Sequence, residues 1–417
     1  MTSVSTRPDA DLHFDPFDPA VIHNPYPAMA RLQAEAPVAW SEKLKAWIVT
    51  GYEPTRALLR DRRLSSDRIS PFFDHLPEAE RRRLEPLRDH LARWLVFMDP
   101  PGHTRLRALM NKAFTPRAVA RLRGSVGEIV DDLLDAAEDK GHWDVIDDLG
   151  YPLPATVIAD LLGVPRRDVG HLKRWSDDLG AFVLTSRLDE GRHDRAAAAV
   201  GEMENYFADL VRHRRAARRD DLVSGLVAAE EAGDFLSVEE LVAACVLLLF
   251  AGHETTTHLI GNGLLALIQN PVQMAALRAR LDDEAAVRNA VEEMLRFDGP
   301  VLSVTRNVVE DIETGGQHLR ADERLFFLLA AAGRDPASFP DPHSFDIARA
   351  EAPRHVNFAH GIHFCLGAPL ARLEGEVAFP RLLRRFREIA LAEPGHEWSD
   401  SLVIRGLTRL PVETRPS

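Results

Sequence analysis

The sequence predicts a mainly α-helical protein with a smaller β region that is discontinuous along the chain. Three observations predict it. From Pro101 to Phe297 nearly every segment carries helical periodicity, whereas strand-like alternation is confined to residues 38–50 and to stretches beyond Pro300. A single apolar run, Leu241 to Gly252, has the length of a buried helix and stops at His253 and Glu254.

In chain order, residues 1–23 are rich in Asp and Pro and read as an extended N-terminal segment, and residues 24–417 as a single domain. Asn24-Pro-Tyr-Pro opens the first helix. Val38–Ser41 and Ala46–Thr50 flank the polar Glu42–Lys45 and read as a hairpin, followed by a helix over Glu53–Arg60. Residues 63–95 begin loop-like and continue into a charged helical stretch at Arg81–Arg83; long loops in compact enzymes often bind ligands. The helical array breaks at Gly141, Gly163-Val-Pro165, Asp220-Asp221 and Asn270-Pro271. Strands return at Leu302–Thr305, Asn307–Val309, Arg324–Leu329, Ser401–Ile404 and Pro411–Thr414.

Composition excludes several roles. With 51 basic and 64 acidic side chains the net charge is −13, which argues against a nucleic-acid partner. The N-terminus has no apolar core of a signal peptide, and the Leu241–Gly252 run is too short to span a bilayer, so a cytoplasmic, monomeric protein with no membrane partner is expected. The two cysteines, Cys245 and Cys365, are expected to be free thiols in a reducing compartment.

Cys365 is the most informative residue. It stands in Phe358-Ala-His-Gly361-Ile-His363-Phe-Cys365-Leu-Gly367, and Pro369 then starts a helix, placing the sulfur near a helix N-terminus where a thiolate is favoured. A glycine-flanked cysteine also fits a tight turn, and His355, His360, His363 and Cys365 form a rival zinc set that lacks the usual ligand spacings. A second segment, Ala251-Gly252-His253-Glu254-Thr255-Thr256-Thr257, interrupts the apolar helix with an acid and three hydroxyl residues, at a cost in propensity and burial. Gly252 removes bulk, and the Thr255 hydroxyl is placed to bond the Ala251 carbonyl, loosening the helix and leaving room for a small ligand. Glu293 and Arg296 lie at i, i+3 on an otherwise apolar helix and read as a buried structural ion pair.

The frame Phe358-x-x-Gly361-x-x-x-Cys365-x-Gly367 resembles the haem-binding loop of the bacterial soluble cytochrome P-450 superfamily, a likeness that extends from about Asn24 to the C-terminus. Ala359 departs from it, occupying a position where many bacterial members carry glycine. The resemblance implies a cytochrome P-450 fold with haem b buried between a long central helix and the cysteine loop. It implies Cys365 as the axial thiolate and metal ligand, and Thr255 and Glu254 as the catalytic pair that manages protons for O–O scission. His103, Arg107, Arg306 and His363 coincide with propionate-binding positions, while Ala251, Phe358 and Gly367 also border the cofactor. Glu293 and Arg296 then anchor the loop ahead of the cysteine.

The activity so implied is a monooxygenase that inserts one atom of O2 into a hydrophobic small molecule, by hydroxylation or epoxidation. No dinucleotide fingerprint is present, so electrons are expected from a separate ferredoxin and ferredoxin reductase, docking near Arg105, Lys112, Arg117 and Arg372. The alternatives are a peroxygenase using H2O2 and a non-catalytic haem-binding sensor. Expected substrate contacts are Leu247, Phe250, Leu302, Val304 and Leu402, within segments that also include Ile69–Phe73, Leu95–Phe97 and Ala181–Leu184.

Overall fold

In the computed structural model, residues 8–12, 14–184, 191–231, 237–393 and 395–417 are described. The chain divides into two compact units, each discontinuous in sequence. The first comprises Met1–Ser66, Asn262–Cys365 and Glu397–Thr408; the second comprises Asp67–Gly261, Leu366–His396 and Arg409–Ser417.

The first unit carries most of the β structure. Val38–Ser41 and Ala46–Val49 form the expected antiparallel hairpin, with Trp40 opposite Trp47. Ala46–Val49 then pairs in parallel with Arg324–Leu328, which pairs antiparallel with Ser303–Val308, and Leu64–Ser65 closes the edge. The strand signals at Leu302–Thr305 and Asn307–Val309 thus belong to one strand. Trp47, Val49, Leu325 and Phe327 lie fully buried on its inner face, with Tyr52 and Phe339 packed edge to face at 5.4 Å. The expected strand at Ser401–Ile404 does not form: only Ile404 makes a bridge, to Val301. There the Ser401 hydroxyl accepts from the backbone N–H groups of Val403 and Ile404, and this local turn replaces a ladder.

The N-terminal segment is less extended than its composition suggests. Ala10–Leu12 is a 3-10 turn and Pro19–His23 a short helix, capped by the Asp18 carboxylate accepting from the Ala20 N–H. Phe14 is buried against Tyr26, Met29 and Leu32 of the helix Tyr26–Glu35. Residues 1–7 lie outside the described part.

The second unit is predominantly helical. The charged helical stretch expected around Arg81–Arg83 forms as helix Glu78–Arg83, and the loop-like start of residues 63–95 also carries a short helix, Ile69–Asp74, with Glu85–Leu91 following. Helices Val169–Val183 and Arg192–Ala216 pack on each other, and helix Arg123–Glu138 packs on Ala368–Arg385. The central helix runs over Val238–Gln269, and Leu241 to Phe250 are buried without exception. A three-stranded sheet of His142–Asp144, Pro411–Pro416 and Phe386–Leu391 completes the unit, its last strand running on directly from helix Ala368–Arg385.

Candidate active site

Cys365 closes a loop that begins at Phe358, and its backbone N–H donates to the Phe358 carbonyl at 3.0 Å. Between them the chain reverses through Ala359 at φ 57° and Gly361 at φ 73°, both in the left-handed region. Gly361 is doubly required, because a Cβ there would sit 2.6 Å from the Leu59 carbonyl oxygen. Ala359 holds the same conformation with a methyl group, at a cost of about 1 kcal/mol. The Cys365 thiol is exposed, and the apolar side chains flanking it, Ile362 at 54% and Phe364 at 39%, are exposed with it.

Two histidines of the rival zinc set, His355 and His363, are engaged elsewhere. His355 accepts the Asn357 N–H at Nδ1 (3.1 Å), so Nε2 carries the proton and donates to Glu292 at 3.0 Å. His363 Nε2 lies 2.8 Å from the Ser66 hydroxyl. Among the described residues no group of three or more His, Cys, Asp or Glu is arranged to hold a metal ion.

In the same unit as this loop, Glu293 and Arg296 form a fully buried bidentate pair, with Nε to Oε2 at 2.6 Å and Nη2 to Oε1 at 2.7 Å. Arg296 also donates to the carbonyls of Gly333, Pro342 and Ser344. A third member escaped the sequence reading: Arg349 Nε donates to Glu293 Oε1 at 3.2 Å, and the Asp346 N–H donates to the same oxygen at 2.9 Å. Residues 333–349, on the chain leading to Cys365, are thereby tied to one helix.

The burial of the central helix is interrupted at Ala251, which is exposed, with Gly252, Glu254 and Thr255 half-buried after it, and resumes in full from Thr256. The Thr255 hydroxyl donates to the Ala251 carbonyl at 3.3 Å, as the residue types suggested. Gly252 serves a different purpose from the one expected. A Cβ there would lie 2.9 Å from Cγ1 of Ile158, so the missing side chain admits a neighbouring helix. Burial works against ionisation of Glu254, but the His258 side-chain bond, with the Lys173 charge further off, holds its carboxyl down at about 2. Glu374, which composition alone did not single out, lies fully buried on helix Ala368–Arg385. Neither of its oxygens has a hydrogen-bond partner of good geometry, and burial pushes its carboxyl up to about 8 against the pull of the Thr256 hydroxyl.

The expected propionate partners are basic side chains. His103 is buried and Arg107 half-buried, one turn apart on helix Gly102–Ala113; Arg306 is buried on strand Ser303–Val308 and donates to the Thr305 carbonyl. Arg105, expected on a docking face, is instead paired with Glu240 through both guanidinium nitrogens. The substrate segments fall into two groups. In the second unit Phe72 meets Phe182 edge to face at 5.6 Å, and Trp94 stacks on Phe97 and packs against Phe250 at 5.4 Å. In the first, the Leu302 N–H donates to the Val403 carbonyl at 2.8 Å and the Ser303 hydroxyl donates to the Leu402 carbonyl. Leu247 is buried in the core of the second unit, and Val304 is half-buried on a strand of the first.

The family model described as cytochrome P-450 matches residues 72–394. The chain belongs to the cytochrome P-450 family. It is 44% identical to the cytochrome P-450 monooxygenase PikC of Streptomyces venezuelae, over 94% of this chain and 91% of that one. It is 39% identical to 6-deoxyerythronolide B hydroxylase of Saccharopolyspora erythraea, over 93% and 95%. Among solved structures, the myxobacterial cytochrome P-450 CYP267B1 in complex with myristic acid matches with a TM-score of 0.85 at 41% identity, covering 96% of this chain and 99% of that one. As a cytochrome P-450, the protein is a monooxygenase whose cofactor is haem b. The residues present fit that group: Cys365 offers an exposed thiol flanked by exposed apolar side chains on a loop turned by Gly361. Among the described residues no helix is long and apolar enough to cross a membrane.

Proposed function

We propose that this cytochrome P-450 hydroxylates or epoxidises a bulky apolar molecule, with Cys365 as the thiolate that would hold the haem iron and two electrons supplied by a separate ferredoxin and its reductase. In sum, substrate, O2, two electrons and two protons give the oxygenated product and one water. Bound haem supplies the centre at which dioxygen is reduced and split. The rest falls to side chains of the chain.

The observation that carries the reading is the Thr255 hydroxyl bond to the Ala251 carbonyl at 3.3 Å. It is long for an O–H donor and is easily given up for a better acceptor. Thr255 Oγ1 is then the atom that presents a proton, and Glu254, ionised and half-exposed, is the group that collects one from solvent and replaces it. His103, Arg107, Arg306 and His363 are proposed to take the propionates, with Ala251, Phe358 and Gly367 bordering the ring.

The aromatic contacts of Phe72, Phe182, Trp94, Phe97 and Phe250 support an apolar substrate of considerable size. So do the relatives, one named for 6-deoxyerythronolide B and another solved with myristic acid. Screening a hydrophobic library for the low- to high-spin absorbance change finds the working substrate. With it, Thr255→Ala is expected to consume electrons at a comparable rate while diverting most of them to hydrogen peroxide. Unchanged product per electron in Thr255→Ala, or turnover by peroxide but not by reduced ferredoxin with O2, contradicts the proposal.

A further inference from the structure

Glu254 has a histidine on either side of it, and the two are not equivalent. His253 is buried, and its Nδ1 lies 2.7 Å from the Leu249 carbonyl, which can only accept; Nδ1 therefore carries the proton. Burial depresses its protonation, so the ring stays neutral and Nε2 is a bare lone pair. That lone pair lies 4.0 Å from Glu254 Oε2, where it has nothing to donate.

His258 is one turn further on, on the same face as Glu254, and its Nε2 is 3.5 Å from Oε1. Its Nδ1 is buried with no hydrogen-bond partner, so nothing competes for the tautomer that places the proton on Nε2. The other charged and titratable groups around this cluster come from two further elements. Tyr151 stands edge-on to His253 at 5.5 Å, and Lys173 lies over the Tyr151 ring while pairing with Asp177 at 2.9 Å.

We propose that His258 is the positioning residue of the acid: its Nε2–H holds Oε1 of Glu254, keeping the carboxylate charged with Oε2 free, a role that His253 cannot take. This rests on the proton-carrying role given to Glu254 above, but its test does not depend on turnover.

The test is a double-mutant cycle on the thermal midpoint of the haem-loaded protein. Glu254 is held below its ordinary value of 4.5, so its contribution to stability is present above that pH and is lost as pH falls toward about 2. At pH 7, Glu254→Gln should therefore lower the midpoint, by about 1–3 °C. In a His258→Leu background, burial acts on the acid with its main donor gone, and the same substitution should raise the midpoint. His258→Gln, which keeps a donor, should restore the original sign, and a His253→Leu background should not invert it. An equal loss from Glu254→Gln in the wild-type and His258→Leu backgrounds overturns the proposal, as does inversion in the His253→Leu background. If the sign inverts while Glu254→Gln leaves product per electron unchanged, His258 holds the acid as proposed and the proton-carrying role of Glu254 is what fails.

Discussion

Two acid–base pairs, each within one helix, are built on opposite plans. Glu293 and Arg296 are wholly buried, and every strong direction of the guanidinium is used: two bonds to the carboxylate and three to backbone carbonyls, with Arg349 and the Asp346 N–H completing the carboxylate. Glu254 and His258 meet at 3.5 Å, the acid is one-third exposed, and the far nitrogen of the imidazole has no partner. A saturated pair has no second arrangement to go to, which suits an anchor for the chain leading to Cys365. An under-bonded pair at a half-exposed site can take up and release a proton.

The comparison breaks first at the anchor. Arg296→Met leaves Glu293 buried without its bidentate partner and frees three carbonyls, and should cost about 3–5 kcal/mol by urea denaturation. A loss under 1 kcal/mol would mean that the network is not holding residues 333–349.

Glu374 sharpens the contrast, being buried like the anchor but unpaired. Its folded-state value of about 8 stands above the ordinary 4.5, so the folded protein holds the extra proton and stability falls as pH rises between those values. Glu374→Gln removes that slope. The difference between variant and wild type should move in the variant's favour by about 3 kcal/mol between pH 5 and pH 8. Parallel stability curves would show that Glu374 ionises normally.

The smallest effect is expected at Ala359, whose φ of 57° puts a methyl group in a conformation suited to glycine. Ala359→Gly relieves that strain but loosens the unfolded chain, for a net gain of about 0.5 kcal/mol. A measured loss would show that the loop tolerates alanine without strain.

Much of this was legible in the sequence because the signals are local. Gly361, Cys365 and Gly367 mark the loop, the Glu-Thr interruption marks the central helix, and alternation around residues 42–45 marks the hairpin. Arg349 could not be read in this way, since it joins Glu293 across 56 residues and nothing near it in sequence announces a partner. The same holds for His355 of the rival zinc set, whose partners Glu292 and the Asn357 N–H on its two nitrogens are not announced by the sequence around it. Gly252 was misread because its reason is a neighbour, Ile158, on another helix. Phe386–Leu391 escaped because no turn residue separates it from the helix before it, and Ser401–Ile404 has strand-like residues but spends its N–H groups on its own serine.

The most direct measurement is the absorbance of the reduced, CO-bound protein. With Cys365 as the axial thiolate, the wild type should show the red-shifted Soret band of thiolate ligation, and Cys365→His should retain haem while losing that shift. A haem-loaded wild type with an unshifted band, or a Cys365→His variant that keeps the shift, would contradict the assignment of Cys365 and the account built on it.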